Sequence, residues 1–438
     1  MNDVIHWALT LELINNDIMV LGPRILSGVL IAAVILWRPH RWWRMLFGGV
    51  FGAGALVIVG IVLEDADAFD GPLPGIALVW IAWAGAGVGI GLVGIMSRPW
   101  PRRVLGSILL ICALLVGSIG VNRAYGVTHT LAAILGVQTI AAAPLPTKVA
   151  DDPADDDSSQ PLYERWQAPA GMPSKGRVSA LSGSQQIPKT SFDARDGALY
   201  LPPAALVANP PDLPVIVFMM GQPGSPDPTA LASALDAFAA AHQGLAPIGV
   251  IVDQLGAATQ DPVCVDSQKY GAVSTYINKN VPAYIRAHLN VSTNISDWVI
   301  GGYSNGGSCA LAFGATHPEV WGGILDVSGN EYPGSEHVDR TVKELFGGDK
   351  NAFTATIPTN VFATKQGAYA GHVAVFTHGS NDTTFGPGQV RNAQAARAVG
   401  FTVLESIIDG AGHTGTALGG GLTAGINQIA PSLGLAAP

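Results

Sequence analysis

Charged residues are scarce in this chain. They make up 13% of its 438 residues, and 48% of the residues are hydrophobic, whereas ordinary soluble domains contain about 25% charged residues. This composition argues against a protein that is soluble along its whole length. The formal charges sum to −9, and nothing in their distribution suggests a nucleic-acid partner, which would call for a basic surface.

Cysteine is also rare, with three residues in the chain. None of them shows the spacing of metal ligands. We expect the protein to require neither a metal ion nor a cofactor. Cys112 lies in an apolar run, whereas Cys264 and Cys309 lie in the later, more polar part of the chain. A disulfide between these two is permitted if they face an oxidising compartment, but the sequence does not show whether their Cα atoms are close enough. A Cys264–Cys309 disulfide and two free thiols therefore both stay open.

The hydrophobic excess is concentrated before residue 122. Four apolar runs follow one another there, each near the ~20 residues that cross a bilayer as a helix. Buried helices of a soluble protein are the alternative, which four such runs in succession disfavour. Residues 1–121 are therefore predicted to form a four-helix transmembrane domain. The runs are about Met19–Trp37, Met45–Leu63, Leu73–Met96 and Val104–Val121.

The loops between these runs indicate an orientation. The loops after the first and third runs carry arginines, and the loop after the second run carries acidic residues and no basic one. Since cytoplasmic loops are enriched in Lys and Arg, both arginine-rich loops are predicted to face the cytoplasm. Everything after Val121 then lies outside a bacterial cytoplasmic membrane. The arginines are Arg38, Arg41, Arg44, Arg98, Arg102 and Arg103, and the acidic residues are Glu64, Asp65, Asp67 and Asp70.

Residues 122–161 are predicted to form an extracytoplasmic linker. The segment contains prolines, and it carries five aspartates between 151 and 157. A metal site is the sharper alternative, but these carboxylates lack a ligand framework. A solvated acidic linker is therefore favoured.

Strand and helix patterns alternate over residues 162–438. Short buried runs separated by amphipathic helical segments predict an α/β domain, with a mostly parallel sheet and helices on both faces. The predicted strands are Arg177–Leu181, Gly197–Leu201, Pro214–Met220, Ile248–Asp253, Trp298–Gly301, Gly322–Val327, His372–Thr377 and Phe401–Ile408. The predicted helices are Thr229–His242, Gly271–Leu289, Ser308–His317, Gly388–Val399 and Thr416–Ile429.

A Gly-x-Ser-x-Gly pattern follows the fifth of these strands and precedes a helix. Strand, sharp turn and helix are the context of a nucleophile elbow. Gly302 and Gly306 flank Ser304 because such a turn is too tight for Cβ atoms. The serine is predicted to lie near a helix N-terminus, where free N–H groups favour developing negative charge. A loop that merely shares the chain's richness in glycine is the plainer interpretation.

A nucleophilic serine needs a base, and the base needs an orienting acid. In sheets of this kind the chain order is serine, acid, histidine. Asp382 and His413 each follow a late predicted strand, so they are the predicted acid and base. His378 is a rival base and Asp326 a rival acid. Asp382 could also be an ordinary turn residue.

Two N–H donors are needed to stabilise the oxyanion of a tetrahedral intermediate. One is predicted to come from Asn305, the residue after the nucleophile. The other is predicted to come from Gln222, in the loop after the strand Pro214–Met220. Pro223 has no N–H and cannot serve.

These segments together resemble the putative-esterase family, which includes esterase D-like carboxylesterases and the antigen 85 mycolyltransferases. The resemblance covers about residues 175–435 and implies an α/β-hydrolase with a serine nucleophile. The segments that carry it are the entry strand at Ala194–Pro203, the oxyanion strand and loop at Pro214–Gly224, the elbow at Ile300–Ser308, and the acid and base segments Thr377–Asp382 and Gly410–Thr414.

Three features depart from these relatives. Met220-Gly221-Gln222 stands where the family's esterases usually have His-Gly, and Asn305 stands where many relatives have Met. Mycolyltransferases are secreted through a cleaved signal, whereas this chain carries four apolar runs. The high Ala and Gly content and the membrane-anchored form resemble proteins of actinobacteria, whose envelopes contain esterified lipids.

We therefore expect a multi-pass membrane protein whose extracytoplasmic domain is a serine esterase. Its substrate is predicted to be a lipid or glycolipid ester, cleaved through an acyl-enzyme on Ser304. The alternative is an acyl- or mycolyltransferase that passes the acyl group to a sugar hydroxyl such as that of trehalose. A membrane scaffold or sensor with a degenerate hydrolase domain is a third interpretation, which the order of serine, acid and histidine disfavours.

Overall fold

Two compact units make up the chain, Met1–Thr139 and Ile140–Pro438. The computed structural model describes residues 3–13, 17–36, 42–65, 73, 75–97, 100–125, 130–134, 139–148 and 160–438. The aspartate cluster at 151–157 and the loop arginines Arg38, Arg41 and Arg98 lie outside the described residues.

Apolar helices form the first unit. Trp42–Glu64, Gly75–Ile95 and Trp100–Ala124 are long and apolar enough to cross a membrane. A further helix, Asp17–Leu36, coincides with the first predicted run. The predicted apolar helical domain is thus confirmed, while the count of four spans and the orientation stay predictions. The helices of this unit are Asp3–Leu9, Asp17–Leu36, Trp42–Asp65, Gly75–Ile95, Trp100–Tyr125 and Leu131–Ile134.

Close backbone contact joins two of these helices. A Cβ atom on Gly52 would clash with the carbonyl oxygen of Gly85, and a Cβ atom on Gly89 would clash with that of Gly48. Small residues four apart on each helix therefore let Trp42–Asp65 and Gly75–Ile95 approach closely, as helices in a bilayer commonly do.

An eight-stranded sheet forms the centre of the second unit. Its strand order is β1-β2-β4-β3-β7-β8-β9-β10, and the six strands from β4 to β10 run parallel. β2 is antiparallel to both of its neighbours, β1 and β4. The strands are β1 Arg177–Leu181, β2 Gly197–Leu201, β3 Val215–Met219, β4 Ile248–Val252, β5 Asp266–Ser267, β6 Gly271–Ala272, β7 Trp298–Tyr303, β8 Gly323–Val327, β9 Val373–Gly379 and β10 Thr402–Ile408, of which β5 and β6 form a separate ribbon.

Helices pack against this sheet and bury its inner strands completely. Every residue of β2, β3, β4, β7 and β8 is buried, so these strands are continuous apolar runs rather than alternating ones. The α/β fold expected from the sequence is confirmed. The helices of this unit are Leu162–Arg165, Thr229–Ala241, Val273–Thr275, Val281–His288, Asn305–Thr316, Val338–Leu345, Lys350–Thr356, Pro358–Thr364, Gly386–Ala398 and Gly415–Ile429.

The predicted helix Gly271–Leu289 is wrong as a single element. Its first two residues form β6, and the helical part is interrupted by a π-helical turn at Tyr276–Asn280 before Val281–His288. Pro282 explains the interruption, because it has no N–H for the carbonyl group four residues earlier. The turn before it widens instead.

The parallel strands determine where the candidate site forms. β7, β9 and β10 end at the same edge of the sheet. Ser304, Asp382 and His413 follow these three strands. Side chains that follow carboxyl ends of neighbouring parallel strands meet at one crevice.

Candidate active site

A sharp turn at Ser304 joins β7 to the helix Asn305–Thr316. Ser304 has φ 55° and ψ −120°, a backbone conformation that costs a side-chain-bearing residue roughly 1–3 kcal/mol. Cβ atoms on either flanking glycine would clash with backbone, that of Gly302 with Gly306 and that of Gly306 with Met219. The turn thus requires glycine at both flanking positions.

Three side chains form a continuous hydrogen-bonded chain at this turn. The Oγ atom of Ser304 lies 2.8 Å from Nε2 of His413. The other ring nitrogen, Nδ1, lies 2.8 Å from Oδ2 of Asp382. The second carboxylate oxygen of Asp382 accepts the N–H of Phe385 at 2.9 Å. This is the geometry of a nucleophile, a base and an orienting acid.

Electrostatics keep the Asp382 carboxyl ionised. Burial raises its pKa, but the hydrogen bond and charge of His413 and the N–H groups of Phe385 and Thr384 outweigh this, so the pKa lies below its ordinary value. The carboxylate is therefore present at neutral pH and can hold the Nδ1–H tautomer of the histidine.

Tyr303 fixes the histidine loop from the other side. Its hydroxyl donates to the carbonyl oxygen of His413 at 2.8 Å, and its ring stacks on the imidazole with centroids 5.8 Å apart. Burial raises the pKa of Tyr303, so the hydroxyl stays a donor. His413 is thus held at its ring and at its backbone.

The two rivals have other partners. Asp326 is buried beneath the turn, where it accepts the N–H of Gly329 at 2.9 Å and the side-chain amide of Gln389 at 3.0 Å. The ring of His378 lies against Gly386. The structure therefore brings Asp382, and not Asp326, to the ring of His413.

The stability of the Asp326→Asn variant relative to the native chain is expected to rise with pH. Burial raises the pKa of Asp326 from 3.8 to about 7. Between these values only the folded state holds the proton, so the stability of the native chain falls as the pH rises. Because asparagine cannot ionise, the stability difference between Asp326→Asn and the native chain should grow by about 2–4 kcal/mol from pH 4 to pH 8.

Thermal unfolding of the detergent-solubilised chain across this pH range would measure the change. A difference that stays constant with pH would contradict the assignment of a neutral buried carboxyl.

The two predicted oxyanion donors belong to segments that adjoin Ser304. Asn305 is the first residue of the helix that follows it. Gln222 belongs to the loop after β3, and this loop is close to Ser304, since a Cβ atom on Gly221 would lie 3.2 Å from Cβ of Ser304. The assignment of these two N–H groups as the oxyanion hole stays a prediction.

A polar network contacts the segments of these two donors, and it is not among the features predicted from the sequence. The side-chain amide of Gln254 donates to the carbonyl oxygen of Met220 at 2.6 Å and to Oδ1 of Asn305 at 3.2 Å. Asn305 in turn donates to Asp261 at 3.1 Å. The sequence signal that could have identified Gln254 is its position just after β4, at the carboxyl edge of the sheet, where functional side chains lie.

Cys264 and Cys309 are joined in a disulfide, with Cα atoms 5.5 Å apart. Cys309 lies one helical turn after Asn305. The segment that ends at Cys264 is thus covalently joined to the helix that begins after Ser304. Within the ranges that the structure describes, no three His, Cys, Asp or Glu side chains form a group that could hold a metal ion.

Structural comparison finds solved proteins that are similar to this chain. Among them are a ferulic acid esterase and an S-formylglutathione hydrolase from Agrobacterium tumefaciens. The first is 14% identical with a TM-score of 0.48, and the match covers 59% of this chain and 99% of that one. The second is 17% identical with a TM-score of 0.49, and the match covers 60% and 97%.

Comparison of sequences identifies a relative and a family. An uncharacterized protein of Corynebacterium glutamicum is 33% identical over 374 residues, which cover 81% of this chain and 82% of that protein. A family model described as putative esterase matches residues 193–415, as the resemblance implied. This chain therefore belongs to the putative esterase family and is a hydrolase.

Proposed function

We propose that this protein is a membrane-anchored serine esterase that acts outside the cytoplasmic membrane on lipid or glycolipid esters. The observation that carries the proposal is the hydrogen-bonded chain from Ser304 through His413 to Asp382 at a strained turn. Membership of the esterase family supports the reaction type.

The geometry supports acyl transfer through a covalent intermediate. Ser304 Oγ attacks the ester carbonyl carbon while His413 Nε2 takes its proton. The carbonyl oxygen becomes an oxyanion, held by the N–H groups of Asn305 and Gln222. The intermediate collapses, His413 delivers the proton to the departing alcohol, and an acyl-enzyme remains. Water, activated by the same histidine, then releases the acid.

The apolar helices support a lipid ester as substrate. Within the described ranges, three of them are long and apolar enough to cross a bilayer, and the arginine-rich loops indicate an extracytoplasmic catalytic domain. A hydrolase attached to a bilayer meets membrane esters at a high local concentration.

A polar cavity beside the oxyanion loop favours a second candidate, transfer of the acyl group to a sugar hydroxyl. The cavity has a volume of about 250 Å³. In its lining, Lys269 donates to Glu344 at 2.6 Å. Paired donors and acceptors with little net charge suit a neutral polyhydroxylated group rather than an acyl chain. The lining residues are Gln222, Thr259, Asp261, Lys269, Tyr270, Arg340, Thr341, Glu344 and Leu345.

Product analysis would separate hydrolysis from transfer. The solubilised full chain is given a long-chain acyl ester with and without an excess of trehalose. As an esterase it should release free acid at the same rate in both reactions. A dominant acyl-sugar product would replace the esterase assignment by the transferase one. In that case Lys269→Met should lower transfer severalfold while leaving hydrolysis in water unchanged.

A further inference from the structure

Gln254 contacts both segments that carry the proposed oxyanion donors. It is only 3% exposed. One of its amide hydrogens reaches the carbonyl oxygen of Met220 at 2.6 Å, two residues before Gln222, and the other reaches Oδ1 of Asn305 at 3.2 Å. A single side-chain NH₂ group therefore joins the oxyanion loop to the first residue of the nucleophile's helix.

The residue before Gln254 holds the other end of the same loop. Asp253 forms a bidentate ion pair with Arg195, whose Nη2 and Nε lie 2.7 and 3.1 Å from its two oxygens. Arg195 also donates to the carbonyl oxygen of Gly224 at 2.8 Å. Asp253 is buried, and such bidentate charge-assisted bonds have a fixed geometry. The loop from Met220 to Gly224 is thus anchored at its start by Gln254 and at its end by this ion pair.

The helix side of the network is anchored as well. Asn305 accepts from Gln254 through Oδ1 and donates to Asp261 through Nδ2. One turn later, Cys309 is bonded to Cys264. Asn305 therefore cannot rotate its side-chain amide without losing a bond to one neighbour, and the first turn of its helix is tied to the segment that contains Asp261 and Cys264.

We propose that Gln254 is a positioning residue that sets the separation of the two oxyanion donors, the N–H groups of Asn305 and Gln222. This inference rests on the proposed serine-esterase function. Donors fixed before the reaction stabilise the developing charge without reorganisation, which is the main advantage of an oxyanion hole. Gln254 donates to Met220 and Asn305 rather than to Ser304 or His413, so it acts through the segments that it joins.

Gln254→Met is the decisive variant, because methionine has a similar length and removes only the two donated bonds. We expect kcat to fall by about 10–100-fold, less than the ~10²–10³-fold loss on removal of a whole oxyanion donor. KM should change little, since the ground-state ester is not yet charged. Binding of a long-chain trifluoromethyl ketone should weaken in proportion to kcat/KM.

The ketone tests the oxyanion hole directly. Ser304 Oγ adds to its carbonyl carbon, the proton goes to His413, and the carbonyl oxygen becomes the anion that the two N–H groups hold. A residue with only a structural role would lower the melting temperature without this selective loss of affinity for the ketone.

Gln389→Met is the matched control. Gln389 is also fully buried, and its amide also donates to two acceptors, Asp326 at 3.0 Å and the carbonyl oxygen of Gly329 at 2.7 Å. It contacts neither oxyanion segment, so kcat and ketone affinity should stay within about threefold of the native values. Equal losses in the two variants would overturn the proposal.

A second variant keeps the proposal testable if Gln254→Met does not fold. Gln254→Asn retains the amide but shortens the side chain by one methylene, so it cannot span both acceptors. It should also lower kcat and ketone affinity together, and unchanged values would overturn the proposal. If the native chain itself neither turns over esters nor binds the ketone, the proposed function fails rather than the role of Gln254.

Discussion

Ser304→Ala is expected to abolish ester turnover, with kcat falling by about 10⁶-fold. No acyl-enzyme can form without the hydroxyl, and the remaining oxyanion donors and binding contacts give only a small residual rate. Alanine adopts the strained conformation at φ 55° at about the same cost as serine, so folding should be preserved. Turnover of a p-nitrophenyl ester and labelling by a fluorophosphonate probe would both report the loss.

Ser328→Ala provides a matched control for this loss. Ser328 follows β8 as Ser304 follows β7, and it also has a positive φ of 49°. Its Oγ atom is buried with no hydrogen-bond partner in the described part of the chain. Its replacement should leave turnover and labelling unchanged. If Ser304→Ala kept its labelling, the proposal of Ser304 as nucleophile would have to be abandoned.

The inner strands could be predicted from sequence because of their burial. Strands buried on both faces are continuous apolar runs, and the inner strands of the main sheet are present within a residue or two of their expected ends. The turn at Ser304 could also be predicted from the local sequence. Cβ atoms on Gly302 and Gly306 would clash with the backbone there, which explains the spacing of the two glycines. Each of these two signals depends only on residues that are close together in the sequence.

Contacts between distant segments could not be predicted in this way. Gln254 meets Met220 and Asn305 across 34 and 51 residues of sequence, and neither hydrophobic period nor motif spacing encodes such a pair. The interruption before Pro282 was missed for a different reason. The apolar spacing around it fits a helix, and the missing N–H of proline overrides that spacing.

The choice between two acids shows the same limit. Asp326 and Asp382 both lie at the carboxyl edge of the sheet, one in β8 and the other after β9. From sequence each could have served the histidine. The difference is three-dimensional, because Asp382 has the loop of His413 beside it, whereas the oxygens of Asp326 are bonded to Gly329 and Gln389 beneath the turn.

Asp382→Asn is expected to lower kcat by about 10⁴-fold, as loss of the orienting carboxylate does in serine proteases, and to leave KM nearly unchanged. The Asp382 carboxyl is 2% exposed, and its Oδ2 atom lies 2.8 Å from Nδ1 of His413. An asparagine amide that presents its NH₂ group here would favour the tautomer with the proton on Nε2, which cannot accept the proton of Ser304. Fluorophosphonate labelling should slow in the same proportion.

Asp326→Asn makes the same chemical change at the rival acid, and its kcat should stay within a few-fold of the native value at pH 7. The comparison tests the position of the acid, because both variants replace one buried carboxyl group by an amide. A large loss in Asp326→Asn with a small loss in Asp382→Asn would transfer the orienting role to Asp326. Large losses in both would indicate that the ionisation state beneath the turn, and not only the bond to His413, controls the reactivity of Ser304.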